Sequence, residues 1–194
     1  GGTFGYVGGI VGCCDSSGKV TNCLSKVMIA AQGNYYVGGV VGNLITGTIN
    51  LCWNEGTVNG GSGSVGGIVG TNSGGTVTNC ANFGTVTGSS TAGGISGSGA
   101  VANSYNLGNV TGAENTTYGI SSAAATNSYY LCKLNGAEAA KYVNSGAEQN
   151  ITPTTEDNKT VYKVGGTELV ELLNGSKGSY TEWINKQDEP YNPV

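Results

Sequence analysis

"VGGIVGTNSGGTVTNCANFGTVTG", Val65 to Gly88, has seven glycines in 24 residues, no charged side chain, and halves that end alike in "GTVTN" and "GTVTG". It reads as a glycine loop that cradles a ligand, as a flexible linker, or as one coil of a repeat, and the rest of the chain decides among these. The opening phrase returns as "YVGGIVG" from Tyr6, "YVGGVVG" from Tyr36, "SVGGIVG" from Ser64, "TAGGISG" from Thr91 and a shortened "TYGISS" from Thr117. The first glycines of these copies, Gly8, Gly38, Gly66 and Gly93, lie 30, 28 and 27 residues apart, and Tyr118 takes the next place 25 residues on. A period of this size means a stacked array.

Each copy carries a second phrase: "VTNC" ending at Cys23, "INLC" at Cys52, "VTNC" at Cys80, "VANS" at Ser104 and "ATNS" at Ser128. A third follows in the middle copies, "EGTVNG" from Glu55, "FGTVTG" from Phe83 and "LGNVTG" from Leu107. Glycine costs a helix about 1 kcal/mol at each interior position relative to alanine, so these phrases read as strands of three to five residues joined by turns. A unit this short buries its apolar face only by stacking on its neighbours, with strands about 4.8 Å apart. The expected fold is all-β, a parallel β-helix or β-solenoid of about five short three-strand coils, roughly 25 Å long. Ile10, Val40, Ile68 and Ile95 form one expected inward column, Val20, Ile49, Val77 and Val101 a second, and Val58, Val86 and Val110 a third. Glycine suits the corners because it tolerates positive φ and close chain approach. Cys23, Cys52 and Cys80, continued by Ser104 and Ser128, read as a buried ladder of small residues, since free cysteine packs as a small hydrophobe. Cys13, Cys14 and Cys132 fall outside it.

Composition narrows the function. The 194 residues include 36 Gly but only 3 Pro, carry a formal net charge of −4, and contain no His and no Arg. Two lysines before residue 130 offer no footprint for nucleic acid. No apolar run approaches the roughly 18 residues of a membrane helix, and the first residues lack the pattern of a signal peptide. The six cysteines contain no Cys-x-x-Cys and have no histidine to join them, which argues against zinc. "GSGSVG", Gly61 to Gly66, fits the dinucleotide fingerprint only formally, with no helix after it and no acid about twenty residues on. "SSGKV" around Lys19 misses the phosphate-loop spacing. No cofactor is expected.

After Leu131 the character changes, and nine of the twelve acids lie beyond it. Residues 1–131 are read as the solenoid, with coils starting near 6, 36, 64, 91 and 117, and 132–194 as a small mixed α/β cap. Within the cap a helix is expected near 167–174, with Thr167 as N-cap, Leu169, Leu172 and Leu173 on one face, and Gly175 as the stop. A strand is expected at Thr160–Val164 and an exposed loop at "NITPTTEDN". Leu169, Leu172, Leu173 and Trp183 are the residues expected to cover the end of the stack, because a last coil otherwise exposes unpaired backbone. The N-terminal side shows no comparable cap, so the chain is expected to be part of a longer protein.

The ordered phrases, Gly-Gly-aliphatic-aliphatic-Gly, then Asn-Cys, then Gly-x-Val-x-Gly, resemble the GLUG repeat over about Gly8 to Leu131. The later "GISG" and "GISS" depart from it by losing an apolar residue. The resemblance implies a non-catalytic extracellular region of a large bacterial secreted or wall-attached protein, such as an immunoglobulin A protease or an adhesin-like protein. Joined to the absence of catalytic residues, it leads to the expectation of a stalk or adhesive surface whose partner is unknown, with host glycan or host protein as the candidate classes. It names no ligand. Two alternatives are set against it. One is a carbohydrate-active β-helix enzyme or a glycan-binding module; the enzyme would be expected to use paired carboxylates, but Asp15, Glu55 and Glu114 occupy non-equivalent places in three copies. An ice- or crystal-binding solenoid would use regular threonine rows, here Thr48 and Thr76 with Asn50 and Thr78, or Thr57, Thr85, Asn59, Thr87 and Thr111, although outward threonine is also ordinary on strands.

Overall fold

Each apolar phrase spans only a few residues, so its backbone groups must find their partners in the coils on either side. The computed structural model describes residues 5–33, 35–131 and 149–175, together with the backbone of 183–184 and 192–193. Five parallel ladders run along it. The first holds Gly5–Gly8, Tyr35–Gly38, Ser64–Gly66, Thr91–Gly93 and Thr117–Tyr118; the second Val11–Cys14, Val41–Leu44, Val69–Asn72 and Ser96–Ser98. The third holds Lys19–Thr21, Thr48–Asn50, Thr76–Thr78, Val101–Ala102 and Ala125–Thr126. The fourth begins Leu24–Ser25, Trp53–Asn54, Ala81–Asn82, Tyr105–Asn106 and Tyr129–Leu131, and the fifth holds Ile29–Ala31, Val58–Gly60, Val86–Thr87 and Val110–Thr111. Five strands in the first ladder enclose about four turns of a β-solenoid.

Each of the first four coils therefore has five strands where three were expected. The "GGIVG" phrase is two strands around a two-residue turn, and the residues after Asn-Cys make a two-residue strand in place of a corner. The first and second ladders pack back to back through glycine. A Cβ on Gly42 would lie 2.6 Å from Val7 N, and one on Gly70 2.5 Å from Val37 N. The repeated glycines of this phrase are absent from the positive-φ positions, so here room, and not the left-handed conformation, requires glycine. That conformation falls to the residue before the cysteine or serine of each second phrase: Asn22 (φ 55°), Leu51 (55°), Asn79 (52°), Asn103 (47°) and Asn127 (45°).

The expected columns form two cores. Val40, Ile68 and Ile95 are fully buried and continue to Ile120; with Val20, Ile49, Val77, Val101 and Ala125 of the third ladder they fill one core against Val41 and Val69 of the second. Val58, Val86 and Val110 fill the other, with Val37, Val65 and Ala92 of the first ladder. Ile29 pairs with Val58 and heads this column. Ile10 is the exception to its column. Its amide donates to Val40 O at 3.0 Å, but its side chain is 44% exposed, because no described strand lies beyond the first coil.

Spacing varies at only two places in the coil. Val7 to Val11, Val37 to Val41, Val65 to Val69 and Ala92 to Ser96 are each four residues; Val20 to Ser25, Ile49 to Asn54, Val77 to Asn82 and Val101 to Asn106 are each five. The turn from second to third ladder shrinks from nine residues, Val11 to Val20, to five, Ser96 to Val101. The turn from fifth to first ladder runs from eight, Ile29 to Val37, to six, Val86 to Ala92. Both variable turns join strand ends remote from the Gly-Gly turn.

The C-terminal segment extends one ladder and leaves the others as they are. Gln149–Glu156, expected as a loop, is a strand parallel to Tyr129–Leu131 and antiparallel to Lys159–Val164. Its hairpin turns at Asp157 and Asn158, both at positive φ, a two-residue arrangement that matches strand twist. The helix is Leu169–Gly175, and Thr167 sits in the short strand Thr167–Glu168, not at an N-cap. Leu169 and Leu173 are buried, and Leu172 partly so, in a cluster with Ala81, Tyr105, Tyr129, Ile151 and Val164. They therefore cover the outer face of the fourth ladder; among the described residues the last strands of the other four ladders have no strand beyond them. Trp183 belongs to the short strand Trp183–Ile184, and its side chain, like Cys132, lies outside the described residues.

Two stability outcomes follow. Ile68→Ala, in the middle of a closed column, should lower unfolding free energy by about 3 kcal/mol, and Ile10→Ala by under about 1 kcal/mol, as read from urea midpoints. Leu51→Asn should raise stability by about 1 kcal/mol, because leucine occupies a left-handed position that asparagine tolerates; a lowered midpoint would contradict this.

Candidate functional surface

The chemistry-bearing side chains of the coils turn mostly inward. The expected Cys23, Cys52, Cys80, Ser104 and Ser128 ladder is present. Cys52, Cys80, Ser104 and Ser128 have no exposed surface, and Cys23 is half-buried. Thiol and hydroxyl alike donate to the carbonyl two residues back: Cys52 to Asn50 O at 3.3 Å, Cys80 to Thr78 O at 3.1 Å, Ser104 to Ala102 O at 2.8 Å and Ser128 to Thr126 O at 3.0 Å. Serine oxygens also accept from the coil before, Cys80 N to Ser104 Oγ at 3.0 Å and Ser104 N to Ser128 Oγ at 3.2 Å. The five described cysteines are all free thiols. Burial raises Cys80, Cys23 and Cys14 above the ordinary thiol value, whereas the hydrogen bond from Cys80 holds Cys52 down to about 7.

A second inward ladder was not anticipated from the sequence. Asn54, Asn82 and Asn106 stand one below another on the fourth ladder, at most 1% exposed. Asn54 Nδ2 donates to Gly56 O at 2.7 Å and Asn82 Oδ1 at 2.9 Å, while its own Oδ1 accepts from Gly56 N at 3.1 Å. Asn82 Nδ2 repeats this toward Gly84 O and Asn106 Oδ1, both at 2.8 Å. Asn106 Nδ2 reaches Gly108 O at 3.0 Å and Gly119 O at 3.2 Å. Facing them is the second glycine of each Gly-Gly turn: a Cβ would fall 2.6 Å from Asn54 Cγ at Gly39, 2.4 Å from Asn82 Cγ at Gly67 and 2.5 Å from Asn106 Cγ at Gly94. The column closes with the ring of Tyr130 against Gly119. At its other end Ser25 takes the asparagine place, and its buried Oγ has no hydrogen-bond partner among the described residues. The signal was in the sequence as Asn-x-Gly, at Asn54–Gly56, Asn82–Gly84 and Asn106–Gly108, but it reads there as an ordinary turn.

A third ladder lines the left-handed corner. Asn103 Nδ2 donates to Asn79 Oδ1 at 2.5 Å and Asn127 Nδ2 to Asn103 Oδ1 at 2.6 Å. Leu51 has no amide to offer, so Asn79 Nδ2 reaches Asn50 Oδ1 at 2.7 Å instead.

What remains outward is modest. Asp15 accepts from Ser16 N at 2.7 Å and Thr46 Oγ1 at 3.0 Å; Glu55 pairs with Lys26 at 2.8 Å; Glu114 is exposed in a third corner. The structure brings no two of them together. Register sets Lys19 above Thr48 and Thr76, and Ala30 and Asn59 above Thr87 and Thr111, so threonine rows in these columns are two residues long. Among the described residues no group of three or more His, Cys, Asp and Glu could hold a metal ion, and no helix is long and apolar enough to cross a membrane. Exposed apolar side chains gather on the first coil: Tyr6, Ile10, Leu24, Val27 and Met28. Tyr6 stacks on Tyr36 with ring centroids 5.8 Å apart, and Leu24 lies in register with half-buried Trp53.

No family model, curated protein or solved structure matches the chain.

Asn82→Ala removes two donated bonds and strips Asn54 of an acceptor in a site without water access, so it should cost about 3 kcal/mol. Thr87→Ala on the outer face should change stability by under about 0.5 kcal/mol. Equal effects in chemical denaturation would show that the buried amides contribute nothing special.

Proposed function

We propose that the chain is a non-catalytic repeat module of a bacterial surface protein, a rigid extracellular spacer that presents its outward columns for adhesion to host glycan or host protein. One observation supports this most. Asn54, Asn82, Ser104 and Ser128 bond from coil to coil, and the carboxylates left outside sit at separate corners. Such an arrangement favours stiffness over reaction, since a side chain bonded within the stack is not free to bind or transfer a proton. The resemblance of the repeat phrases to GLUG repeats supports the surface location. The aromatic groups on the first two coils, Tyr6 with Tyr36 and Trp53 beside Leu24, are where a sugar ring or an apolar partner would find area to stack on.

A glycan array and a host-protein pull-down with the whole chain test the adhesive part. The expected result is at least one ligand whose binding falls tenfold or more in Trp53→Ala or Tyr36→Ala. Uniformly negative screens would leave a spacer alone. Depolymerisation of an acidic or neutral polysaccharide that is lost in Glu55→Gln would replace the whole reading with an enzyme.

A further inference from the structure

We propose that Cys23 and Cys52 form an oxidative cross-link site that staples the first coil to the second. Both residues follow a left-handed corner and precede paired strands: Thr21 is in register with Asn50, and Leu24 with Trp53. Their Cα atoms are therefore one rung apart, about 4.8 Å, inside the roughly 4.4–6.8 Å window of disulfides. The Cys52 thiol is shared between Asn50 O at 3.3 Å in its own coil and Val20 O at 3.4 Å in the first coil, whereas that of Cys80 is bonded to Thr78 O in its own coil.

Access decides which pair reacts. Cys23 is the ladder cysteine that meets solvent, while Cys52 and Cys80 have none of their surface exposed. Of the three ladder thiols a hydroperoxide therefore reaches Cys23 first; Cys13 is exposed too, but lies on the second ladder, outside the column. The Cys23 thiolate attacks the outer peroxide oxygen, the O–O bond breaks, and the alcohol or water leaves, giving a sulfenic acid. The Cys52 thiolate then attacks the Cys23 sulfur; the S–S bond forms, the S–O bond breaks, and hydroxide takes up a proton as water. In sum two thiols are oxidised and one peroxide is reduced. Cys80 stays reduced, with serine at position 104 in the next rung. The link holds down the first coil, beyond which no described strand lies, and it requires no ligand for the module.

The test treats the whole chain with stoichiometric hydrogen peroxide and maps the peptides. The expected product has lost two hydrogens, joins the peptides of Cys23 and Cys52, melts on the order of 5 °C higher, and reverts with dithiothreitol. Cys23→Ser should abolish both the linked peptide and the rise in Tm, and Cys80→Ser should leave both. Serine already occupies this column at Ser104 and Ser128, so the variants preserve a side chain the stack accepts. A link from Cys52 to Cys80, a link through Cys13, Cys14 or Cys132 in its place, or sulfinic acid at Cys23 without any link would overturn the proposal.

Discussion

A buried carboxamide facing a glycine, repeated once per coil, is the contact on which the cross-section depends. Asn54, Asn82 and Asn106 sit where the fourth ladder meets the tip of the Gly-Gly turn, with one core to each side. Each amide bonds along the stack and to its own Asn-x-Gly turn, so it fixes the spacing between coils and the direction of the chain at the same time. A buried amide left unbonded would cost the desolvation of a strong polar group, and this one is satisfied only while the coils stay in register. A slip of one coil against the next would part Asn54 Nδ2 from Asn82 Oδ1 and Asn82 Nδ2 from Asn106 Oδ1. The ladder therefore acts as a register lock as well as a source of stability.

The same coil divides the work of turning between two residue types. Glycine in the first phrase permits backbone to touch backbone, and asparagine in the second adopts the left-handed conformation that most residues avoid. Between these corners the aliphatic columns need only be of similar size, which is why Ile, Val and Ala exchange along Ile49, Val77, Val101 and Ala125 without breaking the column. The polar columns are less tolerant in chemistry but accept thiol and hydroxyl equally. Cys80 and Ser104 make the same bond to the carbonyl two residues back.

Much of this was legible because stacking turns sequence period into contact. Val58, Val86 and Val110 recur at one place in the period, and so do Cys23, Cys52 and Cys80; both sets form columns. The two strands inside "GGIVG" were not legible, because a two-residue turn between glycine and valine leaves no break in the apolar pattern. The buried asparagines were missed because Asn-x-Gly is a turn signal in any chain, and only the neighbouring coils convert it into an interior group. Ile10 was misjudged because a column is closed by what lies on both sides, a property of neighbours that no single phrase contains. In the C-terminal segment Pro153 and the run of polar residues concealed the strand Gln149–Glu156, whose pairing comes from the hairpin turn at Asp157 and Asn158 and from the open edge at Tyr129–Leu131.

The two turns whose lengths vary give the molecule an editable margin. Residues can be added or lost between the second and third ladders, or between the fifth and first, while every aliphatic and amide column keeps its register. Both sites open on the edge away from the asparagines, and insertions in stacked repeats gather on one face in this way, often the face that binds. Related coils could therefore diverge in what they recognise along that margin while the rest of each coil stayed the same.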